Sequence, residues 1–244
     1  MKVYLNSITG IDDAIISTMM SKKTWTREKE NHVRYVVSKC TDRCGFPVKE
    51  NTIPEDIVEE FNKNIDILIK WGWAHITLLR FIDLSITVDG LHRAGQDDWD
   101  AHAMRYNNRI IRSSTRIKKN AFGSEMSDYY KDKIIPTDIA LELENISVPD
   151  KIKKDGKFYI KTTNGYILEE YKDNPDVQRG LYMLSIPSNF IFKVNLTEFA
   201  HVYKERRREG SANPEVKECC EAIAVALESK YPKFNRELLL KIKN

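Results

Sequence analysis

Four arginines and a histidine recur every three or four residues along one stretch of this chain: His102, Arg105, Arg109, Arg112 and Arg116. On a helix that spacing projects all five from one face. A guanidinium is planar and donates two hydrogen bonds at once, so such a face suits phosphate, although a solvated basic face has the same spacing. A second cluster, Arg206, Arg207 and Arg208, closes another helical stretch, where cations also favour the negative end of the macrodipole. Two such clusters flanking a polar-faced strand point to an anion site the size of a nucleotide. Trp71 and Trp73 could stack on a heterocycle or fill a core.

Other chemistries find less support. The five histidines, His32, His75, His92, His102 and His201, show no H-E-x-x-H or other ligand spacing, and no G-x-G-x-x-G, Walker sequence or nucleophile elbow is present. Cys40 and Cys44 lack a second matched pair, and Cys219 and Cys220 are adjacent, so reduced thiols fit better than zinc or a disulfide. No metal is expected. No catalytic nucleophile or base is evident from spacing.

The elements that must position these residues follow from periodicity. Residues 2–5 read as a short edge strand and 11–22 as a helix with Ile15, Ile16 and Met19 on one side. Residues 24–53 are polar and look irregular. Thr52-x-x-Glu55 forms a capping box with Pro54 in the first turn, and Ile57, Val58, Phe61, Ile65, Leu68 and Ile69 carry the helix to Gly72. Ile82, Leu84, Ile86 and Val88 alternate with Asp83, Ser85 and Thr87, which is a half-buried strand. Gly90 and Gly95 bracket a turn before a helix expected over 97–112. Residues 118–150 read as a surface excursion, and 157–168 as a hairpin with Asn164-Gly165 at its turn. Residues 177–194 are ambiguous because Pro187 interrupts them. Asn195-x-x-Glu198 and Asn213-Pro214 begin the last two expected helices.

With 244 residues, 41% hydrophobic and 31% charged, the chain can bury a sizeable core and is neither fibrous nor wholly disordered. Lys+Arg 39 against Asp+Glu 36 leaves +3, too balanced for a general nucleic-acid coat, and nucleic acid is not an expected partner of the arginine clusters. No apolar run approaches the roughly 20 residues of a membrane span, and no leader-like segment opens the chain. The expectation is a cytoplasmic, soluble α/β (α+β) protein: a central mixed or antiparallel sheet flanked by helices. No repeat or linker divides it, so 1–244 reads as one domain with a hairpin insertion near 150–172.

The order of these pieces resembles the flavin-dependent thymidylate synthase (ThyX) family. Its R-H-R-x-x-S-x-N-E-x-S-x-R-Y pattern, laid without gaps on residues 100–113, matches at Asn107 and Arg112. Downstream, Asn195-Leu-Thr-Glu-Phe199, Glu205-Arg206-Arg207, Ala212-Asn213-Pro214-Glu215-Val216 and Tyr231-Pro232 follow the family order. The resemblance implies a homotetramer with sites at subunit interfaces. It further implies FAD, NADPH and methylenetetrahydrofolate as cofactors, and transfer of a one-carbon unit to C5 of dUMP. By the same resemblance Asn107, Arg112, Asn195, His75 and His102 would meet cofactor. Arg105, Arg109, Asp100 and either Arg206 or Arg207 would meet the nucleotide.

The chain departs from the pattern where charge matters. Asp100 and His102 replace the arginines of R-H-R, Ala101 its histidine, Arg105 the serine and Asn108 the glutamate. The histidine of the helix-strand connection aligns with Leu79, with His75 nearby. Arg105 and Arg109 could return the lost cationic donors. Asp97, Asp98 and Asp100 could accept from the exocyclic amine of a cytosine, or be ordinary N-terminal helix charge. The expected substrate is therefore dUMP first and dCMP second. The competing expectation is a nucleotide-binding or scaffold relative that kept the fold and lost the chemistry.

Overall fold

The computed structural model describes residues 1–48, 53–72, 74–93, 95, 96, 99, 109–112, 147, 149–162, 165–173, 187–207 and 213–242; at 109–112, 162, 165, 171 and 187 the backbone alone is described. The chain divides into two compact units, one of Met1, Asp89–Asp97 and Arg112–Asn189, the other of Lys2–Val88, Asp98–Ile111 and Phe190–Asn244.

The larger unit holds most of a four-stranded sheet ordered β1 (Lys2–Thr9), β2 (Asp83–His92), β7 (Pro187–Asn195), β3 (Arg109–Arg112). The expected alternation holds in β2: Leu84, Ile86 and Val88 are buried, while Asp83, Ser85 and Thr87 are half-buried. β7 buries Phe190, Phe192 and Val194, and Phe192 meets Trp99 at 4.9 Å between ring centroids. On the polar side Lys193 pairs with Asp83 at 2.8 Å, and Asn6 Nδ2 donates to Thr87 Oγ1 at 2.8 Å. One face is core and the other is polar.

Helices α1 (Ile11–Ser21), α2 (Arg27–Cys40) and α3 (Glu55–Gly72) pack on one another. α2 occupies residues expected to be irregular. Its Thr26 side chain accepts from the Lys29 N–H, and it buries only Glu30, Val33, Val36 and Cys40. Arg34 also reaches across to Asp12 at 2.6 Å and Asp13 at 2.9 Å on α1. α3 begins immediately after Pro54, while Thr52 of the expected capping box lies outside the described residues. The loop after α2 is pinned by Ile8 N–H donating to Cys44 O at 2.8 Å and by Tyr231 Oη donating to Gly45 O at 2.5 Å.

At the C-terminal end, α4 (Leu196–Arg207), α5 (Pro214–Lys230) and α6 (Arg236–Lys241) form the remaining helical packing. α5 begins as expected, with Asn213 Oδ1 accepting from Glu215 N–H and Pro214 in its first turn. α6 was not expected; its Asn235 cap and buried Leu238 and Leu239 make a helix too short to show periodicity.

Three further expectations are corrected. Residues 109–112 form strand β3, not the end of a helix. Pro187 opens β7 instead of interrupting an element, a position where its missing N–H removes no internal ladder bond. Gly90 lies inside β2 with φ of 91°, so it breaks the alternation there, leaving Leu91 and His92 both buried.

The smaller unit contains an antiparallel meander of β4 (Lys151–Lys154), β5 (Lys157–Thr162) and β6 (Gly165–Leu168). The hairpin is where the sequence placed it, but Thr162 pairs with Gly165, so the connection is residues 163 and 164. A tight primed turn is described at Asp155-Gly156, with φ of 51° and 78°, joining Lys154 to Lys157.

Candidate functional site

The start of α4 is the best-defined part of the candidate site. Leu196 N–H donates to Ile82 O at 2.8 Å, which fixes the helix against the end of the connection before β2. Asn195, 7% exposed, then caps α4: its Oδ1 accepts from Glu198 N–H at 2.9 Å and from Thr197 Oγ1 at 2.6 Å. No bond occupies Asn195 Nδ2 among the described residues. The capping oxygen is committed and the amide donor is available.

Glu198, Val202 and Arg206 recur every fourth residue along α4 and so share a face. Glu198 is 3% exposed and Arg206 1% exposed. The sequence pattern marked Glu198 only as a helix-start residue; its four-residue spacing to Val202 and Arg206 was the signal that it is buried with them. Arg207 sits differently. Its side chain is 49% exposed, and Nη1 donates to Tyr203 Oη at 2.8 Å and to Glu221 Oε2 at 2.9 Å. Tyr203 Oη donates to the same carboxylate oxygen at 2.9 Å, and Arg236 holds Glu221 Oε1 at 2.9 Å. Burial alone would raise the Glu221 carboxyl, but hydrogen bonds from Arg236 and Tyr203 and the two guanidinium charges outweigh it and hold the group below its usual range. Arg207 therefore belongs to an ion network tying α4, α5 and α6, and Arg206 to the interior.

His75 is exposed and precedes the short 3-10 turn Ile76–Phe81. Its ring stacks on Trp71 at 5.8 Å and 18°, and the Lys22 ammonium lies 4.5 Å from the Trp71 ring centre. Leu79, at the family histidine's position, is buried and packs where a Cβ on Gly72 would meet its Cδ2 at 2.6 Å. An imidazole there would have to be buried against the helix backbone, so the ring that remains near the surface is His75.

Arg109 and Arg112 lie on β3, beside β7 in the sheet. A strand repeats every two residues, so the three- and four-residue spacing read as one helical face does not apply at these two positions. Asp100, His102, Arg105, Asn107 and Trp73 lie outside the described residues, as do Arg116 and Arg208. Among the described residues no three His, Cys, Asp or Glu side chains come together as metal ligands, and no helix is long and apolar enough to cross a membrane. Burial pushes the Cys40 and Cys219 thiols up, which favours their protonated form.

Likeness to solved structures over nearly the whole chain defines the class: the chain has the fold of the flavin-dependent thymidylate synthases. Two solved ThyX structures from Helicobacter pylori, each with FAD and dUMP, superpose with TM-scores of 0.58 and 0.56 at 12% and 11% identity. Each match covers 98% of this chain, and 99% and 100% of the other chain respectively. A UMP/dUMP methylase, PolB from Streptomyces cacaoi, bound to 5-Br dUMP, matches with a TM-score of 0.52 at 11% identity over 96% of this chain and 92% of that one. No family model and no curated protein matches the sequence.

Proposed function

We propose that the protein is a divergent ThyX-like enzyme that adds a one-carbon unit to C5 of a pyrimidine deoxynucleotide, dUMP before dCMP. The single observation that carries this reading is the fold match over nearly the whole of both chains to nucleotide-bound proteins, two of them also holding FAD. Residues 1–244 are taken as one ThyX-like domain with the hairpin near 150–172 as an insertion. The working form is a homotetramer in the cytoplasm.

The described residues fit a flavin. Asn195 Nδ2 is a donor left over from capping, suited to an acceptor atom of the isoalloxazine, and His75 offers an exposed ring beside Trp71. Asn107, Arg112 and His102 complete the proposed cofactor set. When bound, FAD supplies the hydride transfer that no side chain can, with NADPH as reductant and methylenetetrahydrofolate as one-carbon donor. Asn195 would orient the ring while capping α4. Arg105 and Arg109 would meet the nucleotide's anionic groups, and of the pair Arg206 and Arg207 it is the exposed Arg207 that a ligand could reach, Arg206 being enclosed. Asp100 would face the base, where a carboxylate selects for a donor group.

The test begins with the purified protein's absorbance. A bound or added flavin, followed by a mass increase of dUMP or dCMP on incubation with methylenetetrahydrofolate and NADPH, is the expected result. Protein that binds dUMP but neither carries nor takes up FAD would favour the non-catalytic reading, which the loss of the R-H-R arginines motivates.

A further inference from the structure

The meander carries a feature the flavin reading does not use. Register places Tyr159 opposite Leu168, Lys161 opposite Tyr166, Ile152 opposite Tyr159 and Lys154 opposite Lys157. Cross-strand partners share a face, so Tyr159, Tyr166, Lys154, Lys157 and Lys161 all stand on one side of the sheet. No side chain on that side is buried, whereas the opposite side covers Ile167.

The two sides also differ in how their charge is used. On the opposite side Lys151 pairs with Glu169 at 2.8 Å, and the Lys151 and Lys153 ammonium groups lie 4.4 and 5.4 Å from the centre of the Phe158 ring. On the tyrosine side no ion pair involves Lys154, Lys157 or Lys161 among the described residues. Tyr166 Oη donates to Pro149 O at 2.5 Å, which holds that side chain leaning across β5, and Tyr159 lies diagonally across the neighbouring strand. Cross-strand diagonals separate such rings by about 7–8 Å.

We propose that this face of the meander binds single-stranded nucleic acid, with Tyr159 and Tyr166 each stacking a base and Lys154, Lys157 and Lys161 holding the phosphates between and beside them. The complementarity is specific in kind: three lysines without an ion pair among the described residues, around two half-exposed rings, match a polyanion that also presents flat faces. An acidic peptide offers the charge without the rings. Stacking tolerates any base, because each has a π-face, and nothing on this face reads sequence. A duplex hides its base faces and would gain only the charge.

The test uses the full chain and fluorescence anisotropy with a labelled dT oligonucleotide, titrated across salt concentrations. The expected result is binding whose log affinity falls with log salt at a slope of about −2, near −0.7 for each of three engaged lysines. Tyr159→Ala should weaken binding about tenfold, while Tyr166→Phe, which keeps the ring, should leave it within about twofold. The pair Lys154→Glu with Lys157→Glu, both on exposed positions beside a tight turn, should abolish it without moving the melting temperature. Equal affinity for a duplex of the same length, for polyglutamate or for anionic vesicles would overturn the proposal. So would a Tyr159→Ala variant that binds as the parent does. Nucleotide modification by the same variants is read separately and is expected to be unchanged, so failure here and failure of the flavin reading are distinct results.

Discussion

Replacing Asn195 separates two roles that the structure assigns to one side chain. Asn195→Ala removes an oxygen that accepts from Glu198 N–H at 2.9 Å and Thr197 Oγ1 at 2.6 Å, leaving the first turn of α4 uncapped. Losing an N-cap costs about 1–2 kcal/mol, and in a chain of this size that lowers Tm by about 2–8 °C. Asn195→Ser keeps an acceptor of comparable capping strength but lacks the amide donor, so its melting temperature should stay within roughly 1 °C of the parent. If Asn195 Nδ2 donates to the flavin, both variants lose one hydrogen bond to it. At about 0.5–1.5 kcal/mol, that weakens FAD about two- to tenfold. Thermal melts and quenching of FAD fluorescence read the two effects independently. An alanine variant as stable as the parent would refute the capping assignment. A serine variant that binds FAD as tightly as the parent would show that Asn195 shapes the helix and does not touch the cofactor.

Gly45→Ala should leave little folded protein, because at φ of +78° its Cβ would lie 1.8 Å from Ile8 O, adding a backbone collision to about 1–2 kcal/mol of left-handed strain. Gly156→Ala has the same φ with nothing within 4 Å, so it should pay only the strain; equal melting temperatures for the two would refute the reasoning. Phe192→Ala, which empties a site between Trp99 and Phe190, is expected to cost about 3–5 kcal/mol in urea unfolding. The Glu221 carboxyl is held below its ordinary value in the folded protein, so its contribution is present above the unfolded value near 4.3 and is lost as pH falls through the lower folded value. Glu221→Gln should therefore be less stable than the parent at neutral pH, with the gap closing below about pH 4 when melts are run across pH.

Much of the architecture was legible because its signals are local. Asn195 and Asn213 cap helices through their own side chains, and the alternation from Ile82 to Val88 marks a strand. α2 was missed because its buried stripe is only one residue wide and the rest of the segment is charged. The ThyX-like order was readable from the spacing of the C-terminal elements, and the fold match bears out the resemblance at the level of fold. Of the candidate site, Asn195 and His75 could be named in advance, but not the environments that give them their separate roles.

What the sequence alone determined is therefore the set of elements whose caps, turns and periods are written within a few residues, together with the balanced charge that excludes a general nucleic-acid coat. Only the tertiary structure decided the rest. Residues 109–112 carry spacing compatible with a helix, yet pairing within a sheet makes them a strand, and that pairing depends on β7 far away in sequence. Arg206 and Arg207 are chemically identical neighbours, but successive residues on a helix point about 100° apart. One is consequently enclosed in the interior and the other faces Tyr203 and Glu221 at the surface. The same logic sorts the lysines of the meander: Lys151 and Lys154 differ by three positions, so they fall on opposite sides of the sheet. One meets Glu169 and the other makes no ion pair among the described residues.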